Sequence, residues 1–294
     1  MGGLSAYMTK GEHMSILVFG KTGQVATELA RQAGVVCLGR DEADLGDPAA
    51  CAAAIKSHAP RVVINAAAYT AVDRAEEEEV LARVVNGDAP AAMAQACADL
   101  GIPFVTISTD YVFDGQGSAP WQPDGATGPL GAYGRTKLAG EDAVRAAGGT
   151  FAILRTSWVF SAHRNNLVKT MLRLGSERDS LSIVGDQIGG PTAAGEIAAA
   201  CLRIAESLQN DPTTSGTYHF SGALDVSWAQ FATEIFKQAG ITCDVTPIPS
   251  SDYPTPAARP FNSRMDCTST QTAFAISRPD WRVSLAGVLA NLGV

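Results

Sequence analysis

Ser15-Ile16-Leu17-Val18-Phe19-Gly20-Lys21-Thr22-Gly23-Gln24-Val25-Ala26 is the stretch that decides the fold. Its first five residues form a short apolar run rich in strand formers. Two glycines follow three apart, and Thr27 to Ala33 then reads as helix. Strand, glycine turn and helix in that order are the context in which a glycine motif has meaning. Gly20 permits the tight turn. Gly23 lets backbone approach a pyrophosphate, which sits on the helix N-terminus. Ala26 stands at the third glycine position and is small enough for close helix–strand packing. The competing reading, a plain βα turn, is the weaker one beside a first strand.

The next strand, Val35-Val36-Cys37-Leu38, ends in Gly39-Arg40-Asp41. An acidic residue at this point would hydrogen-bond an adenosine ribose. Arg40 instead can pair with a 2′-phosphate, with Gly39 leaving room. This favours NADPH over NADH, against the reading of Arg40 as a solvated side chain next to Asp41. Asp44 and Leu45 lie where an adenine ring could rest. Pro48 to His58 reads as a helix and Val62-Val63-Ile64 as a buried strand. That strand runs into Asn65-Ala66-Ala67-Ala68-Tyr69-Thr70, whose small residues would let a flat cofactor lie against backbone.

Glu76-Glu77-Glu78-Glu79 reads as a solvated helix face, because consecutive helical carboxylates point in different directions. Asn86 is expected to open a helix to about Leu100. Phe104-Val105-Thr106-Ile107 is a strand ending in Ser108-Thr109-Asp110-Tyr111, and 114–131 a Gly/Pro-rich loop. A helix from Tyr133 to about Ala147 precedes the strand Phe151 to Thr156. Such alternation predicts an α/β fold, a Rossmann-like doubly wound parallel sheet.

Within it, Tyr133-Gly134-Arg135-Thr136-Lys137 carries the chemistry. Residues four apart on a helix share a face. An ammonium one turn away favours a phenolate, and a phenol with a lowered pKa serves as acid or base beside a carbonyl. Alone, the spacing is equally that of a surface helix. Thr109, at the C-terminal end of a parallel strand, faces the ligand crevice and could hydrogen-bond the same carbonyl.

After Phe160 the alternation weakens. Asn165 to Leu174, Gly195 to Gln209 and Ser227 to Gly240 read as helices. Ser182-Ile183-Val184 and Thr217 to Phe220 read as strands, and Asp186 to Pro191 as a loop. This predicts a dinucleotide-binding domain of residues 14–160 plus 191–218. A smaller, interrupted C-terminal substrate domain takes 161–190 plus 219–294. Residues 1–13 are read as an extension or tag.

The 294 residues carry a net charge of -8, which excludes a global field for nucleic acid or anionic membrane. No apolar run reaches the ~18 residues of a membrane span. The six cysteines are far apart, as small hydrophobes in a reducing cytoplasm would be. His13, His58, His163 and His219 show neither ligand spacing nor a nucleophile partner, so no metal site is expected from them.

Several segments together resemble the extended short-chain dehydrogenase/reductases, and within them the dTDP-4-dehydrorhamnose reductase family. They are residues 19–25, 65–73, 108–113, 133–141, 155–159 and 254–260. The resemblance implies NADPH, or NADH, held by Gly20, Gly23, Gln24, Val25, Arg40, Asp44, Leu45, Ala66, Ala67, Ala68, Tyr69 and Thr70. It implies Tyr133 as proton donor, Lys137 on the nicotinamide ribose, and Thr109, Asp110 and Trp158 against the sugar. Arg259 is the candidate for the substrate's phosphates. The implied reaction is NADPH-dependent reduction of a nucleotide sugar's 4-keto group. The rivals are an epimerase or dehydratase on the same scaffold, and a non-catalytic regulatory subunit of the methionine adenosyltransferase type. A homodimer is a further expectation. Glu28 and Glu196 are the glutamates that would hold Mg2+ where family members use it, with plain surface charge as the competing reading.

Overall fold

The computed structural model describes residues 16–32 and 34–294. The first half comprises β1 (Ile16–Phe19), α1 (Gln24–Leu29), β2 (Val35–Leu38), α2 (Pro48–His58), β3 (Val62–Asn65), α3 (Val72–Ala75) and α4 (Glu79–Arg83). It continues with α5 (Ala89–Leu100), β4 (Phe104–Thr109), α6 (Ala132–Ala146) and β5 (Phe151–Thr156). The second half adds β6 (Val159–Phe160), α7 (Leu167–Glu177), β7 (Ser180–Val184), β8 (Ile188–Gly189), β9 (Thr192–Ala193), α8 (Ala194–Asn210) and β10 (Gly216–His219). It closes with β11 (Val226–Ser227), α9 (Trp228–Ala239), β12 (Asp244–Ile248), β13 (Asn262–Ser263), α10 (Thr268–Phe274) and α11 (Trp281–Leu292).

Six strands form one parallel sheet in the order β10-β5-β4-β3-β1-β2. Strands β1 and β3 are buried along their whole length, as helices on both faces require. One face packs Leu29, Ile197, Ile204, Leu208 and Phe274 against the sheet, and the other Ile55, Met93, Cys97 and Val144. Each such side chain contributes about 1.5–3 kcal/mol on burial. A third cluster lies apart from the sheet and gathers Phe160, Val168, Met171, Phe231, Ile235, Trp281 and Leu285. The chain runs from β1 outward to β2 and then back past β1 to β3. The sheet therefore has its switch point where β1 and β3 end, which is where open α/β sheets form their ligand crevice.

The structure corrects the sequence reading in four places. Helix α1 begins at Gln24, three residues before the expected Thr27, because Gly23 takes the extended cap conformation. Ala33, its expected end, lies outside the described residues. Asn86 does not open an ordinary helix; Val84–Asp88 is one π turn. Pro90 lacks the N–H that would have bonded the Asn86 carbonyl, so the turn widens there. Residues 186–191 contain β8, which pairs antiparallel with β11 and parallel with β13. Its partners lie far along the chain, so local sequence does not announce it.

The glutamate run is the fourth correction: it is largely solvent-exposed as expected, but Glu76 to Glu78 lie in the turn between α3 and α4 rather than on a helix face, and Glu76, Glu78 and Glu79 are partnered. Glu76 accepts the Ala132 N–H at 2.7 Å and so caps α6. Glu78 meets Tyr69 and Arg74, and Glu79 takes both arms of Arg135 at 2.9 Å. All six cysteines are free thiols. No helix among the described residues is long and apolar enough to cross a membrane.

Candidate active site

Gly20 sits at φ +114°, and a Cβ there would come within 3.3 Å of Ala26 Cβ and of the Ala66 backbone. The turn is thus pressed against the residue that follows β3, which explains why both it and Ala26 are small. Gly23 has no side-chain capping bond, and α1 has no acidic residue in its first turn. Its leading amides are therefore open to an anion. The Gln24 side chain is occupied elsewhere. It accepts from Ser161 Oγ at 2.7 Å and Asn166 Nδ2 at 3.0 Å, joining α1 to the chain beyond β6. Val25 turns its side chain into the core.

At the end of β2, Arg40 is 85% exposed and approaches Asp44 at 3.8 Å. Leu45 belongs to the core. Lys21 pairs with Glu42 at 3.0 Å, and the same carboxylate accepts the Gly39 N–H at 2.9 Å. Ala66, Ala67 and Ala68 are half-buried and Thr70 is exposed. Asn86 accepts the Tyr69 N–H at 2.8 Å and donates to the Tyr69 carbonyl and to Thr136. It thereby ties the post-β3 segment to α6. The sequence reading missed this role; its only signal was an amide inside an apolar run.

Three consecutive residues of β4 meet three helical turns of α6. The Thr109 hydroxyl lies against the Tyr133 phenol. The Ile107 carbonyl accepts from Lys137 Nζ at 2.7 Å. Ser108 Oγ donates to Glu141 at 2.6 Å. Close approach of the helix makes this possible: a Cβ on Gly134 would collide with the Tyr111 carbonyl, and one on Gly140 with that of Asn86.

The expected lowering of the phenol's pKa is not what the protein alone provides. Burial pushes Tyr133 up to about 12, the Thr109 hydroxyl pulls it down, and the Asp110 charge adds to the rise. Tyr133 is only half-buried as a whole side chain; the protein packed around its hydroxyl sets the shift. Lys137 is buried, and burial lowers its ammonium to about 8 against the raising influence of Glu141. Its charge is spent on the β4 carbonyl rather than on the phenol. Asp110 is 2% exposed, and one carboxylate oxygen has no hydrogen-bond partner. Burial raises it to about 6, against hydrogen bonds from Ser263 and Thr109.

Trp158 follows β5 at φ +50° and stacks on Trp228 with ring centroids 3.4 Å apart. Trp228 in turn donates to Gln187 at 3.1 Å. Arg259 grips both oxygens of Asp73, at 2.9 and 2.8 Å, and Asp73 also accepts the Ala257 N–H. The proline-rich segment is thus strapped to α3, beside the small residues that follow β3. Thr109, Asp110, Tyr133 and Lys137 are brought together, with Tyr111 edge-on to Tyr133 at 5.5 Å and within reach of the Arg259 charge; Arg40 and Arg259 each face a carboxylate of their own.

Glu28 meets His163 at 2.9 Å and Arg31 at 3.2 Å, while Glu196 accepts from Ser284 at 3.3 Å. Among the described residues no group of three or more His, Cys, Asp or Glu could hold a metal.

Against known proteins, residues 14–294 match the family described as RmlD substrate binding domain. A dTDP-4-dehydrorhamnose reductase of Sinorhizobium fredii is 42% identical over 92% of this chain and 95% of its own. One from Burkholderia thailandensis is 44% identical over 95% and 99%. Among solved structures, a dTDP-4-dehydrorhamnose reductase from Clostridium acetobutylicum superposes with a TM-score of 0.87 at 34% identity, covering 95% of this chain and 99% of its own. One from Bacillus anthracis, in complex with NADP, has a TM-score of 0.87 at 31% identity over 94% and 98%.

Proposed function

The chain belongs to the dTDP-4-dehydrorhamnose reductase family, and from that premise we propose how its residues divide the work. Its reaction is reduction of the 4-keto group of dTDP-4-dehydro-6-deoxy-L-mannose to give dTDP-L-rhamnose, with a reduced nicotinamide cofactor. The rival epimerase, dehydratase and regulatory-subunit readings have no comparable support.

The residues present suit the cofactor. The uncapped amides at Gly23, Gln24 and Val25 receive the pyrophosphate, and Ala66 to Thr70 receive the middle of the molecule. NADPH is the preferred form, because Arg40 and Lys21 flank the end of β2 with cations and Gly39 replaces the acidic residue that would select NADH. When bound, the cofactor supplies the hydride.

Tyr133 donates the proton to the substrate's carbonyl oxygen. A phenol held near 12 is fully protonated at neutral pH and therefore loaded for that step. Thr109 orients the same oxygen. Lys137, anchored on Ile107, keeps further N–H donors for the nicotinamide ribose. Asp110 and Trp158 border the sugar, and residues 161–190 plus 219–294 form the substrate side of the crevice. Arg259 serves the diphosphate by holding its segment in place through Asp73.

The observation that carries this reading is the docking of α6 on the end of β4, which aligns Thr109, Tyr133 and Lys137. The test is oxidation of NADPH, compared with NADH, on adding dTDP-4-dehydro-6-deoxy-L-mannose. Turnover favouring NADPH is expected; absence of oxidation with either cofactor would overturn the assignment.

A further inference from the structure

Glu141 lies one turn beyond Lys137 on α6 and is 2% exposed. Four contacts converge on it. Arg155 donates to both its oxygens, at 2.9 and 2.6 Å, from the neighbouring strand. Arg145 donates at 2.7 Å and Ser108 at 2.6 Å. Arg155 is itself 1% exposed, so the pair is a fully buried ion pair rather than a surface one. Lys137 and Glu141 also line one cavity of about 10 Å³, together with Asn86, Thr106 and Ser108.

We propose that Glu141 is a positioning residue for the reaction: a buried anion that pairs with Arg155, supports the charge of Lys137 one turn away and, through Ser108, fixes α6 on β4. The inference rests on the reading of Tyr133 and Lys137 as the reaction centre. Without Glu141, two cations would share a dry space with no anion between them, and the one able to lose its proton is Lys137.

Other charges around α6 do not substitute for it. From α3 and α4 come Asp73, Arg74, Glu79 and Arg83, which pair with Arg259, Glu78, Arg135 and Asp88. The π turn and α5 contribute Asp88 and Asp99, both exposed. Strand β4 contributes no charge, β5 contributes Arg155, and β10 beside it brings His219, whose ring Nε2 lies 3.4 Å from the Arg155 guanidinium. The turn after β4 brings Asp110 and Tyr111, and their influence falls on Tyr133 and on each other. On α6, Arg135, Asp142 and Arg145 are at least partly exposed. Glu141 is thus the anion credited with supporting the Lys137 charge.

The experiment is the pH profile of kcat/KM for the nucleotide sugar in the full-length enzyme, with saturating NADPH, between pH 6 and 10. Burial draws Lys137 down to about 8 and pushes Tyr133 up to about 12, so a basic limb within this window is assigned to Lys137. Glu141→Gln is expected to move that limb down by roughly one pH unit. Glu141→Asp, which keeps the charge, should leave it in place. Arg155→Gln, which leaves Arg145 on the carboxylate, should move it up, so a Glu141→Gln that fails to fold still leaves a decisive direction to read. A limb unmoved in every folded variant, or moved the same way by loss of Glu141 and of Arg155, overturns the proposal. The control is Tyr133→Phe: if it turns over like the parent, the reaction centre itself is misassigned, whatever the limb does.

Discussion

Lys137 donates a hydrogen bond from its ammonium group to the Ile107 carbonyl at 2.7 Å, two residues before the threonine that meets Tyr133. The strand therefore fixes the lysine and the phenol independently. Each should fail in its own way when altered.

Tyr133→Phe removes the proposed proton donor and leaves the strand contact of Lys137 untouched. NADPH affinity by fluorescence titration should stay within about twofold, while kcat falls by roughly 10²–10⁴. Loss of cofactor binding in step with kcat would show that the phenol holds the cofactor rather than the proton.

Lys137→Met should abolish turnover yet change stability in a pH-dependent way. Burial lowers the folded lysine to about 8 from an ordinary 10.5. Between these values the unfolded chain binds more protons, so the parent gains stability as pH rises through that window. The methionine variant lacks that gain. It should be more stable than the parent at pH 7, by roughly 3 kcal/mol at most, with most of the gap closed by pH 10. Urea unfolding at the two pH values reads this directly.

His219 predicts the opposite end of the scale. Burial, then the Arg155 charge, lowers its imidazole to about 4. Below the ordinary 6.5 the unfolded chain takes up a proton that the folded chain refuses, so stability falls as pH drops from 6.5 to 4. Asp110, raised to about 6, works the other way as pH drops toward 3.8. His219→Asn loses packing on Phe113 and should start lower at pH 7. Its stability between pH 6.5 and 4 should then fall less steeply than the parent's, because only the imidazole's share of the slope is removed. An unchanged slope would mean the imidazole is already protonated in the folded chain.

The Asp73–Arg259 strap is partly exposed, with side chains 42% and 22% accessible, so its coupling should be modest. A double-mutant cycle of Asp73→Asn and Arg259→Gln should give about 0.5–1 kcal/mol. The clearer sign is local: hydrogen exchange at the Ala257 amide should quicken in Asp73→Asn without global destabilisation. Unchanged exchange would mean that the segment is held by its prolines alone.

Gly140→Ala should cost about 1–3 kcal/mol, because a methyl there collides with the Asn86 carbonyl. Gly287, exposed on α11 with open space around it and ordinary helical backbone, is the comparison for thermal unfolding.

How far the sequence was legible divides along physical lines. The parallel sheet was readable because β1 and β3 are continuous apolar runs and β4 a mostly apolar one, each ending in glycine or small polar residues. Tyr133, Lys137 and Thr109 were readable because helix period and strand ends fix their direction. The π turn was not, since it depends on Pro90 withholding one N–H from Asn86. Nor was β8, two residues long and paired with partners far along the chain. Glu141 and Arg155 looked like ordinary charges until the fold buried them together. The phenol's pKa was misjudged because spacing along a helix says nothing about which acceptor an ammonium prefers.

The Trp158–Trp228 stack joins the end of a sheet strand to the helix that opens the outlying cluster. Two indoles face to face at 3.4 Å share their electronic transitions, so the pair should give a split circular-dichroism band of its own. The enzyme thereby carries a built-in optical gauge: any motion that parts α9 from the end of β5 would dim that signal, with no dye attached.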